Sequence, residues 1–229
     1  MIKNKDCLIC FDMDGVLISS MVIANEIFYD VVGKELGLPL HDYPQQKGLM
    51  ALSFEDRLAS LWKDDIEREG ISTEQIESAL EICRARKMAA DIPVLPGAKE
   101  TVRQIADNFE NLALVSSNRE FVIDDTLNLL GLRQYFSKLT GIDSVRFSKP
   151  DPEIYAVTVE HFGIDPERAL TFEDSTHGID AARGAGMKVI GVATGLETAE
   201  ALQKAGADQV LKDFSEFSLD GLKKLLKIL

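Results

Sequence analysis

Two hydrophobic rhythms divide the chain. From about Ser19 to Asp91 the apolar residues recur at helical spacing, with almost none of the short apolar runs that mark strands. Ile23, Ile27, Val31 and Leu36 predict a first helix, and Phe54, Leu58, Leu61 and Trp62 a second. Ile76, Leu80 and Cys83 predict a third, with Ser72 and Glu74-Gln75 placed to cap it. After Pro93–Gly97 the rhythm changes to short apolar runs alternating with helical segments. Leu112–Val115, Lys138–Gly141, Ala169–Phe172, Lys188–Val192 and Asp208–Leu211 predict strands. Phe121–Leu130 predicts a helix closed by Gly131, and Glu153–Phe162 one that starts after Pro152. One more run, Leu8–Phe11, predicts a strand ahead of the helical stretch. The alternation implies fold class α/β: a Rossmann-like, mostly parallel sheet core with helices on both faces, plus an inserted α-helical cap domain. The expected domains are residues 1–17 and 93–229 as the α/β core and 18–92 as the helical cap. The insertion is expected to act as a lid, with Pro93–Gly97 on one side of its hinge.

Composition narrows the possible roles. The 229 residues are 45% hydrophobic and 28% charged, ordinary values for a globular chain with one large domain or a core plus a smaller one. Against 38 Asp and Glu stand 25 Lys and Arg, a net charge of −13. Such a balance argues against nucleic acid or an anionic membrane as the main partner. It leaves room for an anionic substrate, because a bound cation can reverse the field within one pocket. No apolar run approaches the roughly 18–20 residues of a membrane span. Lys3 and Lys5 precede an apolar stretch, but Asp12 and Asp14 interrupt it and no small-residue cleavage pattern follows, so a cytoplasmic location is expected. Cys7, Cys10 and Cys83 make an odd set with no disulfide framework. Cys7 and Cys10 have C-x-x-C spacing, but on a strand i and i+3 point to opposite faces, so they are expected to be buried core thiols. The sequence sets no oligomeric state.

The chemistry gathers where the predicted strands end. Asp12 and Asp14 follow Leu8–Phe11 directly and precede Gly15. Residues at i and i+2 of a strand face the same way, and two carboxylates that close repel unless a cation separates them or one holds a proton. Ser116-Ser117-Asn118 follows Leu112–Val115, Glu173-Asp174-Ser175 follows Ala169–Phe172, and Lys149 sits in the rigid Ser148-Lys149-Pro150-Asp151-Pro152. Taken singly, each has an ordinary reading: an Asp-rich turn, a helix cap at Ser116 or Ser175, a solvated strand end, a surface lysine. Together they place several carboxylates, a hydroxyl and an ammonium along one edge of one sheet, where open α/β sheets bind ligands. Oxygen ligands in that number suit Mg²⁺. A lysine and a hydroxyl suit phosphoryl oxygens, and a carboxylate beside a metal can attack phosphorus.

In the order and spacing of these clusters the chain resembles the haloacid-dehalogenase-like superfamily. Asp12-Met13-Asp14-Gly15-Val16 matches its first motif and Ser116 its second. Lys149, in Lys149-Pro-Asp-Pro-Glu-Ile-Tyr155, matches the third, and Glu173-Asp174-Ser175 with Gly178 the fourth. The helical insertion is similar to the cap of the branch that holds phosphoglycolate phosphatases, sugar-phosphate phosphatases and β-phosphoglucomutases. The resemblance implies that Asp12 is the nucleophile and a metal ligand, and that Asp14 is the general acid/base and ligates through its carbonyl. It implies that Ser116, Ser117, Asn118 and Lys149 hold the phosphoryl group, and that Asp174, with Glu173 beside it, completes the Mg²⁺ site. The implied function is a Mg²⁺-dependent phosphatase that hydrolyses a small phosphorylated metabolite through an aspartyl-phosphate. The alternative is a sugar-phosphate mutase using the same intermediate; further off stands a non-catalytic phosphate-ester sensor. Asp14 argues for phosphoryl transfer, since the dehalogenases and phosphonate hydrolases of the superfamily lack an acid there. Many relatives carry Asp-Ser or Asp-Thr shortly after the first motif, where this chain has Ser19-Ser20.

For the cap, Ser20, Lys47, Phe54 and Arg57 are the candidate substrate contacts. β-Phosphoglucomutases grip the non-reacting phosphate with an arginine in a Ser-Arg-Glu-Asp segment; here the matching stretch is Ser53-Phe54-Glu55-Asp56, with Arg57 one turn away. That favours water as the acceptor. Gly184-Ala185-Gly186 precedes a strand rather than following one, which argues strongly against a dinucleotide loop. His177 is expected in the first turn of a helix, near any bound phosphate, and His41 and His161 on the surface. Trp62 is expected to pack the cap core, and Arg84, Arg86 and Lys87 to form a solvated helix face.

Overall fold

The structure, a computed structural model, describes residues 3–39 and 54–228; His41, Lys47, Gly48 and Ser53 lie outside the described residues. The chain divides into two compact units, Met1–Ser19 with Pro93–Leu229, and Ser20–Ile92.

The first unit is built on a six-stranded sheet: β1 (Asn4–Phe11), β2 (Phe109–Val115), β3 (Lys138–Thr140), β4 (Ala169–Glu173), β5 (Lys188–Val192) and β6 (Gln209–Leu211). All neighbouring pairs are parallel and the order is β3-β2-β1-β4-β5-β6, so the α/β class read from the alternation is what the chain forms. Strands covered on both faces read as unbroken apolar runs. Cys7–Phe11 is such a run, fully buried, while the polar start of β1 at Asn4-Lys5-Asp6 is at least partly exposed. The predicted strands therefore match the buried halves; β2 begins three residues before Leu112, where exposed Glu110 masks the pattern.

The second unit supplies α1 (Met21–Glu35), α2 (Phe54–Glu69) and α3 (Thr73–Ala89); the first supplies α4 (Ala98–Asn108), α5 (Glu120–Leu130), α6 (Glu153–Phe162), α7 (Thr176–Gly184), α8 (Ala199–Lys204) and α9 (Leu219–Leu225). Leu8, Cys10, Ala113 and Val115 point to one sheet face and pack with Ile154, Tyr155 and Val159 of α6, Ile179 and Ala182 of α7, and Leu202 of α8. On the opposite parity Phe11 stacks on Phe172, centroids 4.7 Å apart, and meets Phe136 edge-on at 6.0 Å. The three cysteines are buried free thiols, as expected, and burial pushes the Cys10 thiol far up, which keeps it unreactive.

The site follows from the strand order. β1 pairs with β2 on one side and β4 on the other, and the direction of winding reverses between β1 and β4. A crevice opens at such a reversal, at the carboxyl ends of the strands. The Asp12 N–H donates to the Phe172 carbonyl at 3.0 Å, extending the ladder one residue beyond β1 and setting Asp12 level with Glu173. Beyond it the chain folds into a tight turn, with Leu17 N–H on the Met13 carbonyl and Gly15 N–H on the Ile18 carbonyl. The outgoing and returning segments then pair: Ser19 N–H donates to Pro93 O and Leu95 N–H to Leu17 O, at 2.8 and 3.0 Å.

In the second unit Phe28, Val31, Leu58, Trp62, Ala79 and Cys83 form the core. Trp62 is fully buried against Phe28, and its Nε1 donates to the Pro39 carbonyl at 2.7 Å. Ser72 and Gln75 close a reciprocal capping box on α3, the pattern read from the sequence. The basic cluster differs from the expected solvated face. Arg84 and Arg86 pair with Glu81 and Asp30, but Lys87 is buried, because it falls on the side of α3 that faces the core.

The Phe11 ring fixes the strand end that carries Asp12. Phe11→Ala should cost about 3–5 kcal/mol, seen as a lower urea midpoint with an unchanged slope; a loss within error of zero would mean the aromatic stack does not hold this edge.

Candidate active site

The chemical side chains reach the crevice from three strand ends and one loop. Asp12 follows β1, Ser116 follows β2, and Glu173 and Asp174 close β4. Lys149 arrives from the loop before α6, which Glu153 anchors by accepting the N–H groups of Arg146 and Phe147 at 2.9 and 3.0 Å. Lys149 Nζ donates to Asp12 Oδ1 at 2.8 Å, to Glu173 Oε1 at 2.6 Å and to the Val115 carbonyl at 3.3 Å. Those three bonds use all three of its protons.

Burial governs the electrostatics. Asp12, Lys149 and Asp174 are 7%, 5% and 5% exposed and Glu173 is fully buried. Burial pushes Asp12 up to about 7; Lys149 pulls it down, but Glu173 pushes it up again. Asp174 is raised well above the carboxylate range by burial first, then by Asp12 and Glu173. Burial alone would lower the Lys149 ammonium, yet the facing carboxylates of Asp12 and Glu173 outweigh it and hold it charged.

Asp12, Glu173 and Asp174 each offer a carboxylate oxygen, and these lie within 4.8 Å of one another. An all-oxygen set of that span, short of positive charge, suits a hard divalent ion whose octahedron is about 4.2 Å across. Glu173 is the least available of the three, since Oε1 accepts from Lys149 and Tyr155 and Oε2 from Ser175. Asp14 is half-buried, its Oδ2 accepting from Asn118 Nδ2 at 2.5 Å. Asn118 also bonds Ser116 Oγ through Nδ2 and its backbone N–H, at 2.9 and 3.2 Å, so the second-strand cluster holds Asp14. Ser117 lies beside them, half-buried. Ser175 caps α7 by accepting the Gly178 N–H, the ordinary role open to it from sequence, whereas Ser116 caps no helix. His177 falls in the first turn of α7 and His161 is exposed.

Of the remaining candidates, Ser20 begins the second unit, buried, without capping α1 through its side chain. Phe54 stacks on Phe28 at 5.3 Å, and Arg57 is buried with its guanidinium 5.0 Å from the Phe28 centroid and Nη1 on Asn25 Oδ1 at 3.2 Å. Lys47 lies outside the described residues.

Two residues of the cluster were not singled out from sequence. The Tyr155 hydroxyl donates to Glu173 Oε1 at 2.6 Å, and Thr171 Oγ1 donates to the Tyr155 oxygen at 3.3 Å. Burial and the adjacent Glu173 hold the phenol well above its ordinary range, so it stays a donor. The signal for Thr171 was present: a polar residue inside the run Ala169-Leu170-Thr171-Phe172 must find a buried partner.

A profile of the haloacid dehalogenase-like hydrolase family matches residues 9–192. The chain is 30% identical to a phosphorylated carbohydrates phosphatase of Thermotoga maritima, over 95% of this chain and 99% of that one. It is 28% identical to hexitol phosphatase B of Escherichia coli, over 79% and 80%. A crystal structure of β-phosphoglucomutase from Clostridium difficile superposes with a TM-score of 0.80 over 99% and 98% of the two chains; at 21% identity that likeness shows the fold alone. The chain belongs to the haloacid dehalogenase-like hydrolase family.

The raised Asp12 carboxyl gives a pH signature. Above its ordinary value of 3.8 and up to about 7, the folded state holds this proton more tightly than the unfolded chain does. The stability it contributes is present below about pH 4 and lost as pH rises through about 7. In chelator, Asp12→Asn should therefore gain on wild type in urea denaturation as pH rises from 4 to 7, and Mg²⁺ should shrink that advantage. A difference that stays flat over this range would refute the electrostatic account.

Proposed function

We propose that this phosphoric monoester hydrolase is a Mg²⁺-dependent phosphatase of small phosphorylated metabolites, sugar phosphates foremost, working through an aspartyl-phosphate on Asp12. The observation that carries the reading is the buried Lys149 bridging Asp12 and Glu173 with Asp174 close by. The names of the Thermotoga and Escherichia relatives support the substrate class.

Asp12, Asp174 and, less freely, Glu173 would hold the cation, which supplies positive charge against the phosphoryl oxygens and the nucleophile's carboxylate. Lys149 and Ser116 bind and orient the phosphoryl group, the ammonium exchanging its long Val115 contact for a phosphoryl oxygen. Asp12 then attacks phosphorus as the ester P–O bond breaks, and Asp14 gives its proton to the leaving oxygen. Asp14, now ionised and held by Asn118, takes a proton from the water that attacks the aspartyl-phosphate, which releases inorganic phosphate and restores both carboxyl groups. Glu173, fixed by Tyr155, keeps Lys149 at Asp12 through both steps. Selection among substrates is assigned to residues 20–92.

The mutase alternative needs a group that grips a second phosphate. At the position of the mutase arginine this chain has Phe54, stacked on Phe28, which supports water as acceptor.

A screen of phosphorylated metabolites with Mg²⁺, reading released phosphate, tests the reading. Steady release with no bisphosphate activator is expected; interconversion of glucose 1-phosphate and glucose 6-phosphate with little release would promote the mutase.

Asp12→Asn should lower turnover by at least about 1,000-fold with the fold kept. Chelator should abolish activity, and Ca²⁺ should restore little of it. Near-normal rates in the variant, or in excess chelator, would refute the mechanism.

A further inference from the structure

The Asp174 carboxylate sits in a slot between two glycines from distant parts of the chain. A Cβ on Gly15 would fall 2.0 Å from Asp174 Oδ2, and one on Gly195, in the loop after β5, would fall 1.9 Å from the same atom. A side chain at either position would collide with the Asp174 carboxylate and displace it. The walls are joined: Thr194 Oγ1 donates to the Gly15 carbonyl at 2.6 Å. The far end of the same loop is tied to α7, where Glu197 Oε1 accepts from Thr176 N and Oγ1 at 3.2 and 3.0 Å. The loop therefore bridges the turn after β1 and the helix that begins just beyond Asp174.

We propose that Thr194 and Gly195 form a positioning element that fixes the Asp174 carboxylate and so sets the affinity of the site for a divalent cation. The inference rests on the reading of Asp174 as a ligand and goes beyond it by assigning the control of affinity to a loop outside the four motifs. Holding a ligand in place before the ion arrives removes reorganisation from the binding step, and loss of such outer support typically weakens metal binding by about 10- to 100-fold.

The test is Mg²⁺ titration by calorimetry, with Mg²⁺-dependent thermal shift, on the full chain. Wild type should bind and Asp174→Ala should not. Gly195→Ala should weaken binding by about 10- to 100-fold. Thr194→Val, which deletes one hydrogen bond, should weaken it by about 3- to 10-fold, and Thr194→Ser should restore it. Wild-type affinity in Gly195→Ala, alongside lost binding in Asp174→Ala, overturns the slot while leaving the ligand reading intact. Unimpaired binding in Asp174→Ala, or none in wild type, overturns both. Should Gly195→Ala fail to fold, the Thr194 pair decides, and equal affinities for Val and Ser overturn the proposal.

Discussion

The architecture turns on one buried ammonium. Lys149 is nearly sealed from solvent and can stay charged there only because Asp12 and Glu173 face it at 2.8 and 2.6 Å. Burial favours the protonated form of Asp12, and the ammonium opposes it. The sheet must therefore end β1 and β4 side by side, and the loop before α6 must return to that point. The parallel pairing of β1 with β4 and the Asp12–Phe172 bond meet the first demand, and Glu153 on the loop amides meets the second.

Charge counting shows what a divalent cation would do at such a site. With Asp12, Glu173 and Asp174 ionised and Lys149 protonated, the cluster carries three negative charges against one positive, a net of −2 before Asp14 is counted. A dianionic phosphate ester would be repelled from it. One divalent cation brings the sum to zero, after which the fixed ammonium and the hydroxyl of Ser116 can act as donors. The overall charge of −13 is thus compatible with an anionic substrate, because the field that matters is local.

The sheet strands and the motif residues were readable in the sequence because they rest on short-range signals. Leu8–Phe11 is unbroken because both faces of β1 are covered, and Asp12, Ser116 and Asp174 each stand at the end of such a run. Tyr155, Thr194 and Gly195 were given no role because theirs depend on contacts between separate segments of the chain, whereas Thr171 carried a local signal, a polar residue inside an apolar run. Nothing local distinguishes Gly195 from any loop glycine until β5 delivers it against Asp174. Lys87 was misjudged for a related reason. Three basic residues close together look like a wet face, but the helical turn sends Lys87 towards the core while Arg84 and Arg86 reach acidic partners.

The helical unit bears on the choice of acceptor through Arg57. Its guanidinium lies over Phe28 and Phe54, 5.0 and 5.8 Å from the ring centroids, and donates to Asn25. Burial pulls its pKa down to about 10, so its charge is held at a desolvation cost that the aromatic faces and the amide partly offset. To grip the distal phosphate of a sugar bisphosphate, the side chain would have to leave those rings and open a gap beside the stacked Phe28 and Phe54. A mutase must keep its phosphorylated aspartate from water while the sugar phosphate turns over, and that requires a second anchor ready to engage. An arginine already engaged in the packing of the helical unit is poorly suited to this, so its placement weighs towards water as the acceptor and phosphate as the product.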